Sequence, residues 1–106
     1  MSILHADGQE IFKEIQTSSS VLIDCWAPWC PPCRMLSPIL EEIHQELGLK
    51  IVKVNGDENE DFIGEFQVLG LPTLLLFQNG QLVTRISGFQ PKAVLIDLLK
   101  ERGVAQ

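Results

Sequence analysis

Two thiols stand three positions apart in the run Trp29-Cys30-Pro31-Pro32-Cys33. Ahead of them Val21-Leu22-Ile23 reads as a strand, and Pro31-Pro32 opens a helix without wasting backbone donors. Cysteines with this spacing at a helix start share one face and lie within the narrow geometry of a disulfide. The unpaired first-turn N–H groups and the helix dipole favour a thiolate at the first of them. The chemistry is that of a reversible dithiol switch. Cys30 is the expected nucleophile, partly exposed beside Trp29, and an attacking thiol works best with a pKa near ambient pH. Cys33, one turn into the helix, is the expected resolving thiol, more buried and protonated until needed.

A lone C-x-x-C also matches half of a zinc site or a structural staple. Zinc needs two further ligands, and besides carboxylates the chain offers Cys25, His5 and His44, with no second C-x-x-C and no H-x-x-x-H pair. No metal site is expected. His5 and His44 are given no role.

Asp24 interrupts an otherwise apolar strand. Burying a carboxylate costs several kcal/mol unless it is paired or takes up a proton, so its pKa should be raised. It then fits a general base that deprotonates Cys33 through water during resolution. The competing reading is a structural Asp satisfied by backbone groups at a strand end. Lys53, on the neighbouring strand, is a candidate modulator of that charge, against a lysine that merely reaches solvent. Cys25 alternates with Asp24 and so points to the opposite face, as a small buried hydrophobe and not a third redox thiol. Trp26 reads as packing.

The elements that must position these groups follow from periodicity. A short strand lies around Ile3-Leu4, and Ile11, Phe12 and Ile15 mark a helix after the Asp7-Gly8 turn. Ser18-Ser19-Ser20 is a solvated connection. Val21 to Trp26 has the continuous apolar pattern of a central parallel strand. A helix follows from Pro32 to about Leu47, with Met35, Leu36, Ile39, Leu40, Ile43 and Leu47 on its apolar stripe, a kink at Pro38 and a stop at Gly48. Ile51 to Asn55 is a strand, and Phe62, Ile63 and Phe66 belong to a short helix. The acidic stretch from Asp57 to Glu65 is a solvated face, with Glu60 and Asp61 favourable at that helix start. Thr73 to Gln78 and Leu82 to Ser87 form a hairpin around Asn79-Gly80. Val94, Leu95, Leu98 and Leu99 line a last helix between Pro91 and Gly103. The order β-α-β-α-β-α-β-β-α predicts an α/β fold, a central mixed sheet flanked by helices on both faces, with the last hairpin strand antiparallel.

At 106 residues the chain is expected to form one domain, 1–106. Fourteen acidic residues against eight basic ones give a net charge of −6, which leaves no basic patch for nucleic acid and disfavours an anionic membrane surface. The longest apolar run, Leu74-Leu75-Leu76-Phe77, is far too short to span a bilayer. Asp7 and Glu10 follow Met1 without a basic or apolar leader pattern, so no secretory signal is expected, and three cysteines make no secreted disulfide framework. A cytoplasmic, monomeric protein is expected.

Beyond this, the chain resembles the thioredoxin family along nearly its whole length. Asp24 with Trp26-Ala27-Pro28-Trp29-Cys30, then Cys33-Arg34-Met35 and Pro38, look like that family's strand, redox loop and kinked helix. Lys53 through Asp57, Gly70-Leu71-Pro72-Thr73, Asn79-Gly80 and Gly88 also fit. The resemblance implies a thioredoxin fold and a protein that reduces disulfides in other proteins, with a redox-active Cys30–Cys33 disulfide and no bound cofactor. It implies a flavin-containing thioredoxin reductase as the partner that restores the dithiol. It implies a cis bond at Pro72, packed against the disulfide, leaving the Leu71 backbone free to pair with an extended substrate segment. Trp29, Leu71, Gly88 and Phe89 then form an apolar substrate patch, with core packing as the alternative for Phe89. The chain departs from the family where Pro31 replaces a glycine, Cys25 an aromatic residue and Gly56 an aliphatic one. Pro31 and Pro32 tune the redox poise, and because a proline pushes its predecessor out of helical ψ, the helix is expected to begin at Pro32. The same fold also serves as an oxidant or isomerase at a more oxidising potential, or as a binding subunit of a larger complex.

Overall fold

Ser20–Trp26 (β2) is the middle strand of a five-stranded sheet in the computed structural model, which describes residues 3–104. Lys50–Asn55 (β3) and then Leu4–His5 (β1) flank it on one side, and Thr73–Gln78 (β4) and then Gln81–Ser87 (β5) on the other. β1, β3 and β2 are parallel; β4 is antiparallel to β2, and β5 is antiparallel to β4. The reversed strand is therefore β4 and not the last hairpin strand, as sequence order had suggested. A two-residue turn obliges β5 to oppose β4, so β5 regains the direction of the first three strands. In that turn Asn79 and Gly80 have φ of 51° and 83°, the left-handed pair that matches the twist of a hairpin.

Alternation along the strands sends side chains to two separate cores. Leu22, Ile51, Leu74 and Leu76 face the helices Pro31–Leu47 (α2) and Lys92–Glu101 (α4), which contribute Leu36, Leu40, Ile43, Leu95 and Leu99. Val21, Ile23, Cys25, Val52, Val54, Leu75 and Phe77 face Gln9–Thr17 (α1) and Glu60–Glu65 (α3), which contribute Ile11, Ile15 and Phe62. Each fully buried aliphatic side chain contributes about 1.5–3 kcal/mol. The expected element order is present, with a short 3-10 turn, Gly56–Glu58, inserted before α3.

Two details of α2 differ from expectation. It begins at Pro31 and not Pro32, because the Arg34 N–H donates to the Cys30 carbonyl at 3.2 Å and closes the first turn around Pro31. Met35 is exposed, since it sits about 100° around the helix from Leu36, off the stripe of Leu36, Leu40 and Ile43. The helix runs through Pro38 and stops at Gly48, whose φ of 65° is left-handed and whose N–H returns to the His44 carbonyl at 3.0 Å.

Candidate active site

The end of β2 and the start of α2 bring the two cysteines together. The Cys30 N–H donates to Ala27 at 3.2 Å in the connecting turn, and Cys30 is the N-cap of α2. One turn on, Cys33 is joined to it by a disulfide with a Cα–Cα separation of 5.3 Å. The Cys33 N–H donates to Cys30 Sγ at 3.3 Å, so an otherwise unpaired first-turn donor points at sulfur. Both residues are buried, at 2% and 3% exposure. Cys30 is thus not partly exposed and Cys33 is not the more buried of the two: in the closed pair each sulfur covers the other, and Trp26, Ala27 and Leu71 pack around both.

Trp29 carries the exposed apolar surface at this site, 64% accessible. Its Nε1–H donates to both carboxylate oxygens of Asp57, at 2.9 and 3.2 Å. Asp57 is itself set by the 3-10 turn, where its N–H donates to Asn55 Oδ1 at 2.9 Å. Sequence reasoning left Asp57 in a solvated acidic run; nothing in its spacing told it apart from its neighbours. Behind the turn, Asn59 is buried and ties three segments together, donating to Asp7 and the Asn55 carbonyl and accepting from the Gly8 N–H.

Opposite Trp29, the Leu71–Pro72 bond is cis. The Pro72 carbonyl accepts from the Gly88 N–H at 2.8 Å, and Thr73 donates to Gly70 at 2.6 Å, fixing the loop at the head of β4. A hollow of about 280 Å³ between Trp29 and this loop is lined by Gly56, Asp57, Ile63, Val68, Leu69, Gly70 and Leu71. Phe89 lies apart from the cysteines, half-buried against the α2–α4 core.

Near the end of β2, on the α2 face of the sheet, Asp24 is 1% exposed and neither carboxylate oxygen has a hydrogen-bond partner. The reading of a backbone-satisfied Asp is therefore overturned. Burial pushes its pKa up to about 6 from 3.8, an effect partly offset by the Lys53 ammonium. Lys53 Nζ is 3.9 Å from Asp24 Oδ2 and its side chain is only 12% exposed, so it does not simply reach solvent. That ammonium donates to Ser37 Oγ at 2.8 Å and sits 5.0 Å from the centre of the Trp26 ring. Ser37 was not anticipated, although its place one turn after Cys33 was a signal. Cys25 is buried on the other face, its thiol pushed up to about 12 by burial and then by Asp24. His44 Nδ1 is 2.7 Å from the Leu49 carbonyl oxygen. Among the described residues no three His, Cys, Asp or Glu side chains converge as a metal cluster.

Comparison with known proteins decides the family, for the thioredoxin family model matches residues 2–101. The chain belongs to the thioredoxin family. It is 44% identical over 103 residues to a thioredoxin of Bacillus subtilis, covering 95% of this chain and 98% of that one. A thioredoxin of Listeria monocytogenes is 45% identical over 92 residues, covering 85% and 89%. Among solved structures, a mutant thioredoxin from Halobacterium salinarum superposes with a TM-score of 0.91 at 31% identity, covering 99% of this chain and 92% of that one. Oxidised mitochondrial thioredoxin 3 from Saccharomyces cerevisiae gives 0.86 at 31% identity, covering 93% and 94%. The thioredoxin fold expected from sequence is borne out, and with its closed Cys30–Cys33 pair the chain is a thiol–disulfide oxidoreductase acting on protein disulfides.

Proposed function

We propose that Cys30 and Cys33 divide the reaction into attack and resolution. In the reduced protein the Cys30 thiolate attacks one sulfur of a substrate disulfide; the new S–S bond is a mixed disulfide, and the expelled substrate thiolate takes up a proton. Cys33 then gives its proton to Asp24 through water and attacks Cys30 Sγ. The mixed disulfide breaks, the second substrate thiol leaves, and two electrons have passed from the dithiol to the substrate. Lys53 modulates the basicity of Asp24. Pro31 and Pro32 stiffen the loop and tune the potential. Cis-Pro72, the Leu71 backbone, Trp29 and Gly88 form the surface that receives an extended substrate segment, and Phe89 packs against the core instead.

The observation that carries this reading is the Cys33 N–H aimed at Cys30 Sγ at the N-terminus of α2, a donor that favours negative charge on that sulfur. In this reading a flavin-containing reductase restores the dithiol and no bound cofactor or metal takes part. The chain works as one domain, as a monomer in the cytoplasm, and its acidic balance keeps it off nucleic acid and anionic membranes. Among the described residues no helix is long and apolar enough to cross a membrane.

Insulin-disulfide reduction tests the division of labour. Cys30→Ser should abolish it, whereas Cys33→Ser should accumulate mixed disulfides visible by mass spectrometry; full activity in Cys30→Ser would refute the assignment. Equilibration of the pair against glutathione buffers fixes the direction of electron flow, and an oxidising potential would overturn the reductant role.

A further inference from the structure

Asp24 and Lys53 are register partners on adjacent parallel strands, so both side chains stand on the α2 face of the sheet. They nevertheless form no hydrogen bond. Their closest approach, 3.9 Å, is beyond hydrogen-bond reach, and both carboxylate oxygens stay unpartnered. The ammonium is drawn instead to Ser37 Oγ at 2.8 Å, one helical turn past Cys33. A largely buried ammonium needs acceptors from the protein. Without the serine hydroxyl, the orphan carboxylate beside it is the strongest acceptor within reach.

We propose that Ser37 is a positioning residue for the redox reaction: its hydroxyl anchors the Lys53 ammonium against α2 and so holds that charge off the Asp24 carboxylate. The inference rests on the base role proposed above for Asp24. With the ion pair held long and not hydrogen-bonded, the carboxyl keeps the proton affinity that lets it take a proton from a thiol. The surroundings leave Lys53 as the lever. From β4 the partner of Asp24 is Leu74, from α4 Leu95 and Leu99 belong to the core on this face, and from α2 Ser37 takes the Lys53 ammonium. Cys25, next along β2, lies in the opposite core, and His5 stands edge-on to Trp26 at 6.2 Å.

The test is an NMR titration of the Asp24 carboxyl carbon in the oxidised protein, where Cys30 and Cys33 are joined and do not titrate. The wild-type midpoint lies near the value of about 6 set by burial. In Ser37→Ala the ammonium closes on the carboxylate, and the midpoint drops by about one pH unit. Ser37→Thr, which keeps the hydroxyl, holds the wild-type midpoint. In a Lys53→Met background, Ser37→Ala leaves the midpoint where Lys53→Met alone puts it. An unchanged or raised midpoint in Ser37→Ala overturns the proposal, and so does a drop that persists without Lys53. Because the carboxyl itself is read, a lowered midpoint with an unaltered resolution rate would retain the anchoring role of Ser37 and remove the base role of Asp24.

Discussion

Replacing Asp24 by Asn should stabilise the oxidised protein at neutral pH and do nothing at low pH. The side chain is 1% exposed, and its pKa rises from 3.8 to about 6 on folding, chiefly through burial. At 1.36 kcal/mol per pH unit, this displacement is worth about 3 kcal/mol. The sign follows from proton counting. Between the two pKa values the folded state binds more protons than the unfolded one, so stability falls as pH rises. The favourable contribution of the protonated carboxyl is complete below pH 3.8 and is lost as pH climbs through about 6. Asn is close in shape to the neutral acid and carries no proton to lose. Urea unfolding at a series of pH values should therefore show Asp24→Asn more stable by about 3 kcal/mol above pH 7, with the gain shrinking to within about 0.5 kcal/mol below pH 4. Other carboxylates cancel between the two proteins. A gain that is constant across pH, or no gain at neutral pH, refutes the argument.

Three further measurements separate the site's parts. If Asp24 accepts the Cys33 proton, the resolution rate rises as pH passes about 6 in the wild type, and stopped-flow traces of Asp24→Asn should lack that rise; identical profiles would remove the base role. Asp57→Asn turns a charge-assisted pair into a neutral one, so Trp29 emission should shift and kcat/KM fall about fivefold, equivalent to ~1 kcal/mol. Because Asp57 is exposed, its unfolding free energy should stay within about 0.5 kcal/mol of wild type, and a larger loss would make it a structural residue. Asn59→Ala removes the side-chain links from buried Asn59 to Gly8, Asp7 and the Asn55 carbonyl and should cost about 1–2 kcal/mol in urea unfolding, whereas an unchanged midpoint would mean that these links do not hold the segments together.

Where periodicity met punctuation, sequence and structure agree closely. The apolar run of β2, the Asn79-Gly80 turn and the spacing of Leu36, Leu40 and Ile43 each answer to local rules, and the elements stand where those rules put them. Asp24 was legible for a different reason: a carboxylate in a central strand has few physical outcomes, and one of them is a raised pKa. What sequence hid was set by tertiary contact. The exposure of Cys30 depends on the closed disulfide and on Leu71, brought from a distant segment to pack beside Trp26 and Ala27. Asp57 differs from Glu58 and Glu60 only in what lies across from it. The direction of β4 depends on how the chain passes from β3 through α3, which strand order alone does not state. Met35 is an error of reading and not of information, since its angular position already put it off the stripe.

The sheet itself has a consequence for thiol bookkeeping. Cys25 lies on the far side of β2 from the reactive pair, fully enclosed, its pKa pushed up to about 12 by burial. An alkylating reagent applied to the intact native protein should find no reactive thiol after oxidation and react first at Cys30 after reduction, while Cys25 becomes available only in the denatured chain. The five strands act as a septum, insulating a spare sulfur from electron traffic on the other face and leaving the carrier with an unambiguous two-electron readout.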